Sequence, residues 1–152
     1  MKFNPDIAET LSMHAMPFGV RVGFDLVQVS GIRASIETFG DAFIDRIFTP
    51  GERAYACRGE AVRDERLAAR FAAKEATMKA LQLSEAGVGW REIEVSQLPA
   101  GGCELVLHGA ALECATNAGV TSLLLSLSHD GDYAGAVVTA LTQPQTRENT
   151  KS

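Results

Sequence analysis

The chain has 152 residues, 46% of them hydrophobic and 22% charged, with a formal net charge of −5 at pH 7. That is enough apolar material for one core in one soluble domain, and the acidic balance argues against nucleic acid as the main partner. No segment approaches the ~20 apolar residues of a membrane helix, residues 1–18 lack the apolar run of a secretory signal, and Cys57, Cys103 and Cys114 show neither disulfide nor zinc spacing, so a cytoplasmic, reducing compartment is expected.

In chain order, residues 1–18 read as an appended, partly helical arm, residues 19–141 as the domain, and residues 142–152 as a polar tail expected to be disordered. Val20, Val22 and Phe24 alternate with Arg21, Gly23 and Asp25, the period-2 pattern of a strand with one buried face, and Asp25 closes it on the polar side. Helices are predicted over residues 30–39 and 41–47. Thr49-Pro50-Gly51-Glu52 then supplies a capping residue, a proline at the first helical position and the acid of a capping box. A long helix is predicted over residues 62–83, stopping before Gly87-Val88-Gly89. Strands over residues 91–97 and 103–107 flank a turn at 99–102, and a short helix over 110–117 is closed by Gly119. Leu123, Leu125 and Leu127 alternate as a strand, and the turn His129-Asp130-Gly131-Asp132 leads to a last strand over residues 133–140. Helices followed by antiparallel strands predict an α+β fold, with an antiparallel sheet packed on one long helix and several shorter ones.

The long helix carries the chemistry. Leu67, Phe71 and Met78 form one apolar stripe, Ala68, Ala72, Ala76 and Ala80 a second, and Glu75 and Lys79 project into the seam between them. Charges there are costly unless paired or bound to a metal or an anion, although an i, i+4 Glu–Lys pair on an exposed helix is the simpler alternative. Arg66, Arg70 and Lys74 share another side of the helix. Residues 58–79 hold six basic and four acidic side chains in an otherwise acidic protein. Such a stripe is either a solvated face or a docking surface for phosphates or an acidic partner. His14, His108 and His129 are scattered and suggest no histidine metal cluster.

Gly23-Phe24-Asp25-Leu26 at a strand end, Arg70-Phe71-Ala72-Ala73-Lys74-Glu75-Ala76 on the helix and Ser126-Leu127-Ser128-His129-Asp130 at a hairpin occur in this order. Together they resemble the holo-acyl-carrier-protein synthase family of small bacterial 4′-phosphopantetheinyl transferases. Phe43-Ile44-Asp45-Arg46-Ile47-Phe48-Thr49 and Trp90-Arg91-Glu92-Ile93-Glu94-Val95 extend the likeness over residues 19–140. The resemblance implies transfer of 4′-phosphopantetheine from coenzyme A to a serine of an apo acyl carrier protein, with release of adenosine 3′,5′-bisphosphate. It implies Asp25 and Glu75 as ligands of Mg²⁺, with Mn²⁺ as an alternative, and Lys79 as a charge stabiliser or proton donor at the phosphates. It further implies Arg70 and Lys74 as contacts to coenzyme A phosphates, and Ser128 and His129 at the nucleotide end. A homotrimer with coenzyme A held between subunits is implied as well. The proton acceptor from serine stays open between Glu75 and a metal-bound water. Two departures bear on carrier docking: Gln28 replaces a usual acid, and Gly31 a usual arginine, with Arg33 on a different helix face. They point to a carrier from a specialised pathway rather than from fatty-acid synthesis, or to an alternative reading as a non-catalytic coenzyme A- or carrier-binding homologue.

Overall fold

The computed structural model describes residues 18–144; the arm and tail expectations for residues 1–17 and 145–152 lie outside it. Strand β1 (Gly19–Gln28) is followed by helices α1 (Val29–Phe39), α2 (Asp41–Ile47) and α3 (Pro50–Ala56). After a 3-10 turn comes the long helix α4 (Arg63–Leu81), then β2 (Ile93–Gln97), β3 (Cys103–Leu107), α5 (Gly109–Asn117), β4 (Val120–Asp130) and β5 (Tyr133–Thr142). The strands form two antiparallel sheets, one in the order β1-β5-β4 and a separate β2-β3 hairpin. The α+β architecture is thus as expected, with two sheets in place of one.

Local chemistry explains most boundaries. The capping box at α3 forms as predicted: Thr49 Oγ1 accepts from Glu52 N, and the Glu52 carboxylate accepts from Thr49 N. Helix α4 stops at Leu81, two residues early, because Gln82 adopts a left-handed conformation (φ 56°) and Leu83 N donates back to Met78 O at 2.9 Å. Leu83 is buried beyond this reversal. Strand β2 starts at Ile93, not at residue 91, because the Glu92 carboxylate turns onto the backbone N–H groups of Gly89 and Ala110 and holds residues 90–92 in a 3-10 turn. The final hairpin is tighter than expected. Asp130 pairs with Tyr133, so His129 and Asp130 belong to β4, and only Gly131 (φ 54°) and Asp132 make the turn.

The core is strung along α4. Its first turns pack Leu67, Ala68 and Ala69 against Val29, Ile32, Ile44, Ile47 and Phe48. Its middle packs Ala72, Ala73 and Ala76 on Ala136, Val138 and Val95, and its end meets Leu83, Ile93, Ala111 and Ala140. Phe71 and Met78, expected in the core stripe, are half-buried; Phe71 stacks on Trp90 with ring centroids 5.1 Å apart. Small residues on both sides bring helix and sheet close.

One expectation is inverted. The face of β1 that packs on α4 is the one bearing Arg21, Gly23, Asp25 and Val27, whereas Val20, Val22, Phe24 and Leu26 lie on the outer face of the sheet, with Val22 62% exposed. The reason is Gly23. A Cβ there would sit 1.8 Å from Ala76 O and 2.8 Å from Ala80 N, so only glycine permits this strand-to-helix approach. The alternation does form a strand, but the position that packs closest to the helix is the one without a side chain. The outer face continues through Val137 and Leu124 on the neighbouring strands.

Candidate functional site

Helix α4 presents different chemistry on its two flanks. At about 100° per residue, Ala69, Ala72, Ala76 and Ala80 face the sheet. Glu75 and Lys79 fall on one flank, and Arg66 and Arg70 on the other, about half a turn of the helical wheel away.

On the β1 flank, the close approach at Gly23 brings Asp25 alongside the last turns of α4. Lys79 Nζ donates to Asp25 Oδ1 at 2.8 Å and to Phe24 O at 3.1 Å. Lys79 therefore reaches across to the strand, not back along the helix to Glu75. The hydrogen bond to Asp25 holds the Lys79 ammonium above its ordinary pKa. Glu75 is half-buried, and burial first, then the charge of Asp25, raise its carboxyl above the ordinary glutamate range, with Lys79 opposing. Asp25, Glu75 and Lys79 are thus electrostatically coupled in one place.

Two mutually repelling carboxylates, offering oxygen donors only, suit a hard divalent cation such as Mg²⁺. That ion binds through one or two carboxylates and completes its shell with waters and substrate phosphates. Among the described residues no group of three or more histidine, cysteine, aspartate or glutamate side chains gathers.

On the opposite flank, a cleft of about 380 Å³ opens between α3, α4, the end of β4 and the β2-β3 hairpin. The Arg70 guanidinium lies 4.1 Å from the centre of the Tyr55 ring, with Arg66 4.8 Å from the same ring. Arg70 is only 2% exposed. Its Nη1 donates to Arg66 O at 3.3 Å, while Nε and Nη2 have no partner among the described residues. Burial pushes its pKa down from the ordinary arginine value. Leaving such donors unpaired is costly, and pairing with an anion would remove that cost. His129 borders the cleft with Nδ1 3.9 Å from Glu65, and Ser128 lies at its exposed rim.

Lys74 is not where the basic stripe suggested. Its ammonium is completely enclosed, 2.8 Å from the equally buried Glu52 carboxylate, and it donates to the carbonyls of Trp90 and Ile93. Burial lowers its pKa, with Glu52 opposing. All its donors point into the protein, so contact with a coenzyme A phosphate is corrected to a structural tie joining α3, α4 and β2. With Lys74 enclosed and Arg70 buried, the stripe is not a solvated face, and Arg66 alone of the three keeps accessible surface, at the cleft. Arg33 is no free substitute for a docking arginine either: its Nε bonds Asp64 at 2.9 Å, while Gly31 is exposed and Gln28 Nε2 donates to the Tyr133 hydroxyl at 3.2 Å.

Three contributors escaped the sequence reading. Tyr55 and Cys103 line the cleft, and nothing in their local pattern signals it. Asp132 accepts from Ser30 N at 2.9 Å and so closes the start of α1 from the far hairpin; its place beside Gly131 marked only a turn.

A sequence model described as the 4′-phosphopantetheinyl transferase superfamily matches residues 21–138. The holo-acyl-carrier-protein synthase of Solibacter usitatus is 50% identical over 111 residues, covering 72% of this chain and 88% of that protein. That of Desulforudis audaxviator is 44% identical over 120 residues, covering 79% and 91%. Among solved structures, the coenzyme A complex of the Chronobacterium ammoniagenes enzyme superposes with a TM-score of 0.73 at 36% identity, covering 83% of this chain and 99% of that one. The Helicobacter pylori holo-acyl-carrier-protein synthase, also in complex with coenzyme A, gives 0.68 at 29% identity, covering 78% and 98%.

Proposed function

We propose, from the premise that this chain belongs to the 4′-phosphopantetheinyl transferase superfamily, that it is a transferase converting apo acyl carrier protein to its holo form with coenzyme A as donor. The convergence of Asp25, Glu75 and Lys79 at the β1–α4 contact carries the assignment of its reacting centre. The serine oxygen of the carrier gives up its proton, to Glu75 or to a water, and bonds to the phosphorus that bears the pantetheine arm. The bond from that phosphorus to the adenosine side breaks, and adenosine 3′,5′-bisphosphate leaves.

Such a transfer needs positioning and charge neutralisation more than covalent chemistry. Asp25 and Glu75 would hold Mg²⁺, or Mn²⁺, which when bound offsets charge on the pyrophosphate. Lys79, half-exposed and donating to Asp25 and to Phe24 O, keeps one N–H free for a phosphate oxygen of the departing nucleotide. Arg70, whose Nε and Nη2 have no partner among the described residues and which lines a cleft with His129 and Ser128, is the proposed seat for the nucleotide end. No helix of the described residues is long and apolar enough to cross a membrane, in keeping with the proposed cytoplasmic site of action.

The two half-sites lie on opposite flanks of α4 in one subunit. The outer face of the three-stranded sheet, with Val20, Val22, Phe24, Leu26, Leu124 and Val137, is apolar and exposed. Both features support a homotrimer in which the Asp25–Glu75–Lys79 flank of one copy meets the Arg70–His129 flank of the next across this face. Incubation with coenzyme A, Mg²⁺ and a panel of apo carriers, read by intact mass, tests the reading. Gain of one phosphopantetheine on a carrier, abolished by chelation, is expected. No gain on any carrier, with coenzyme A still bound, would instead mark a non-catalytic binding homologue. The panel also tests whether Gly31 and Gln28 select a carrier from a specialised pathway.

A further inference from the structure

Cys103 sits at the start of β3 with its sulfur 3.2 Å from Gln97 Oε1, and it lines the same cleft as Arg66, Arg70 and His129. It is partly accessible, and Arg66 and Arg70 line the same cleft. Arg70 supplies an independent sign that the cleft takes an anionic molecule, since it is buried and Nε and Nη2 have no partner among the described residues. A disulfide that carries carboxylates would be drawn to Arg66 and Arg70 and so held beside the Cys103 sulfur, and holding it there favours exchange at that sulfur. Cys57 is more exposed but does not line the cleft, and Cys114 lies away from it.

We propose that Cys103 is a thiol–disulfide exchange site for anionic low-molecular-weight disulfides, whose adduct lodges in the cleft against Arg66 and Arg70. In the exchange the Cys103 sulfur attacks one sulfur of the disulfide and a new S–S bond forms between them. The original S–S bond breaks, and the other half leaves as a thiolate that takes up the proton given up by Cys103. The disulfide itself is the oxidant, and a dithiol reverses the step. That the adduct blocks coenzyme A rests on the cleft being the nucleotide seat; the exchange itself does not.

The full-length protein is incubated with oxidised glutathione, quenched with acid and mapped by peptide mass, with hydroxyethyl disulfide as a neutral probe. One glutathione increment is expected on Cys103, appearing about tenfold faster than on Cys57. This preference should shrink for the neutral probe, at high salt and in Arg66→Gln. Cys103→Ser should stay unlabelled at that peptide. Labelling of Cys57 alone, or equal selectivity with the neutral disulfide, overturns the proposal. Coenzyme A affinity, measured by calorimetry on labelled and unlabelled protein, should fall at least tenfold on labelling and recover with dithiothreitol. Specific labelling of Cys103 with unchanged affinity would uphold the exchange site and refute the nucleotide seat.

Discussion

Replacing Gly23 by alanine tests whether strand-to-helix contact sets the reacting centre. The added Cβ would lie 1.8 Å from Ala76 O, whereas real Cβ atoms essentially never come closer than 3.0 Å, so β1 and α4 must part by at least about 1.2 Å. Both colliding groups are backbone in regular structure and neither can swing aside. Overpacking of this kind costs about 1–3 kcal/mol. Asp25 follows two residues later on the same face, so the parting also opens its 2.8 Å contact with Lys79 and its coupling to Glu75. A misplacement of about 1 Å at a reacting centre costs on the order of 100-fold in rate. Urea unfolding and the rate of carrier modification at saturating coenzyme A should register both losses. Gly31→Ala is the control for stability, because its Cβ would meet only the Gln28 side chain at 3.9 Å; it should keep the fold and gain about 0.5–1 kcal/mol of helix stability. A Gly23→Ala protein with native stability and turnover would refute the claim that this contact aligns the site.

Three other outcomes follow from particular contacts. Glu75→Gln should lower transfer by about 100-fold or more yet stabilise the fold at neutral pH. Because the folded-state pKa is raised, the native protein binds more protons than the unfolded chain between the two values, and its stability falls as pH rises through that window. The variant should lack this slope in urea midpoints measured without divalent cation. Lys74→Met leaves Glu52 buried without its cation and should cost about 3–5 kcal/mol. The Glu52→Gln, Lys74→Met double variant should recover part of that loss, with KM for coenzyme A unchanged, and a raised KM in the folded double variant would return Lys74 to the ligand site. Val22→Glu on the exposed outer face should yield folded monomers by sedimentation velocity, with transfer lost; a trimeric, active variant would refute the assembly.

Much of the fold was legible because its signals are local. The Thr49–Glu52 capping box, the uninterrupted helix former run of α4 and the alternation of Leu123, Leu125 and Leu127 each specify an element from within a few residues. What was not legible depends on partners distant in sequence. Period-2 alternation names two faces of β1 but not which one is covered. Hydrophobicity pointed to Val20, Val22 and Phe24, while the packing is decided by Gly23 meeting Ala76 and Ala80 across the chain. The turn at Gly131 was visible, but Asp132 closing α1 was not, since Ser30 lies 102 residues away.

The run from Arg70 to Glu75 shows how a motif divides its labour once it is wound into a helix. Ala72 and Ala73 are fully buried and let α4 approach its neighbours, and Phe71 stacks on Trp90. Arg70 and Lys74 are one turn apart, both cationic and both buried, and in the sequence they are equivalent. Hydrogen-bond satisfaction separates them. Lys74 has a carboxylate and two carbonyls arranged about its ammonium, so its desolvation is offset within the fold and nothing further is called for. Arg70 lies over an aromatic ring, spends one donor on a carbonyl and leaves two groups unmet at the wall of a cleft. Keeping a guanidinium desolvated and incompletely bonded is unfavourable for the fold alone, and a bound anion would remove the penalty. The completed cation is therefore structural and the incomplete one is the receptor we propose, a distinction drawn from the Glu52 carboxylate standing opposite Lys74 and the cleft bordering Arg70.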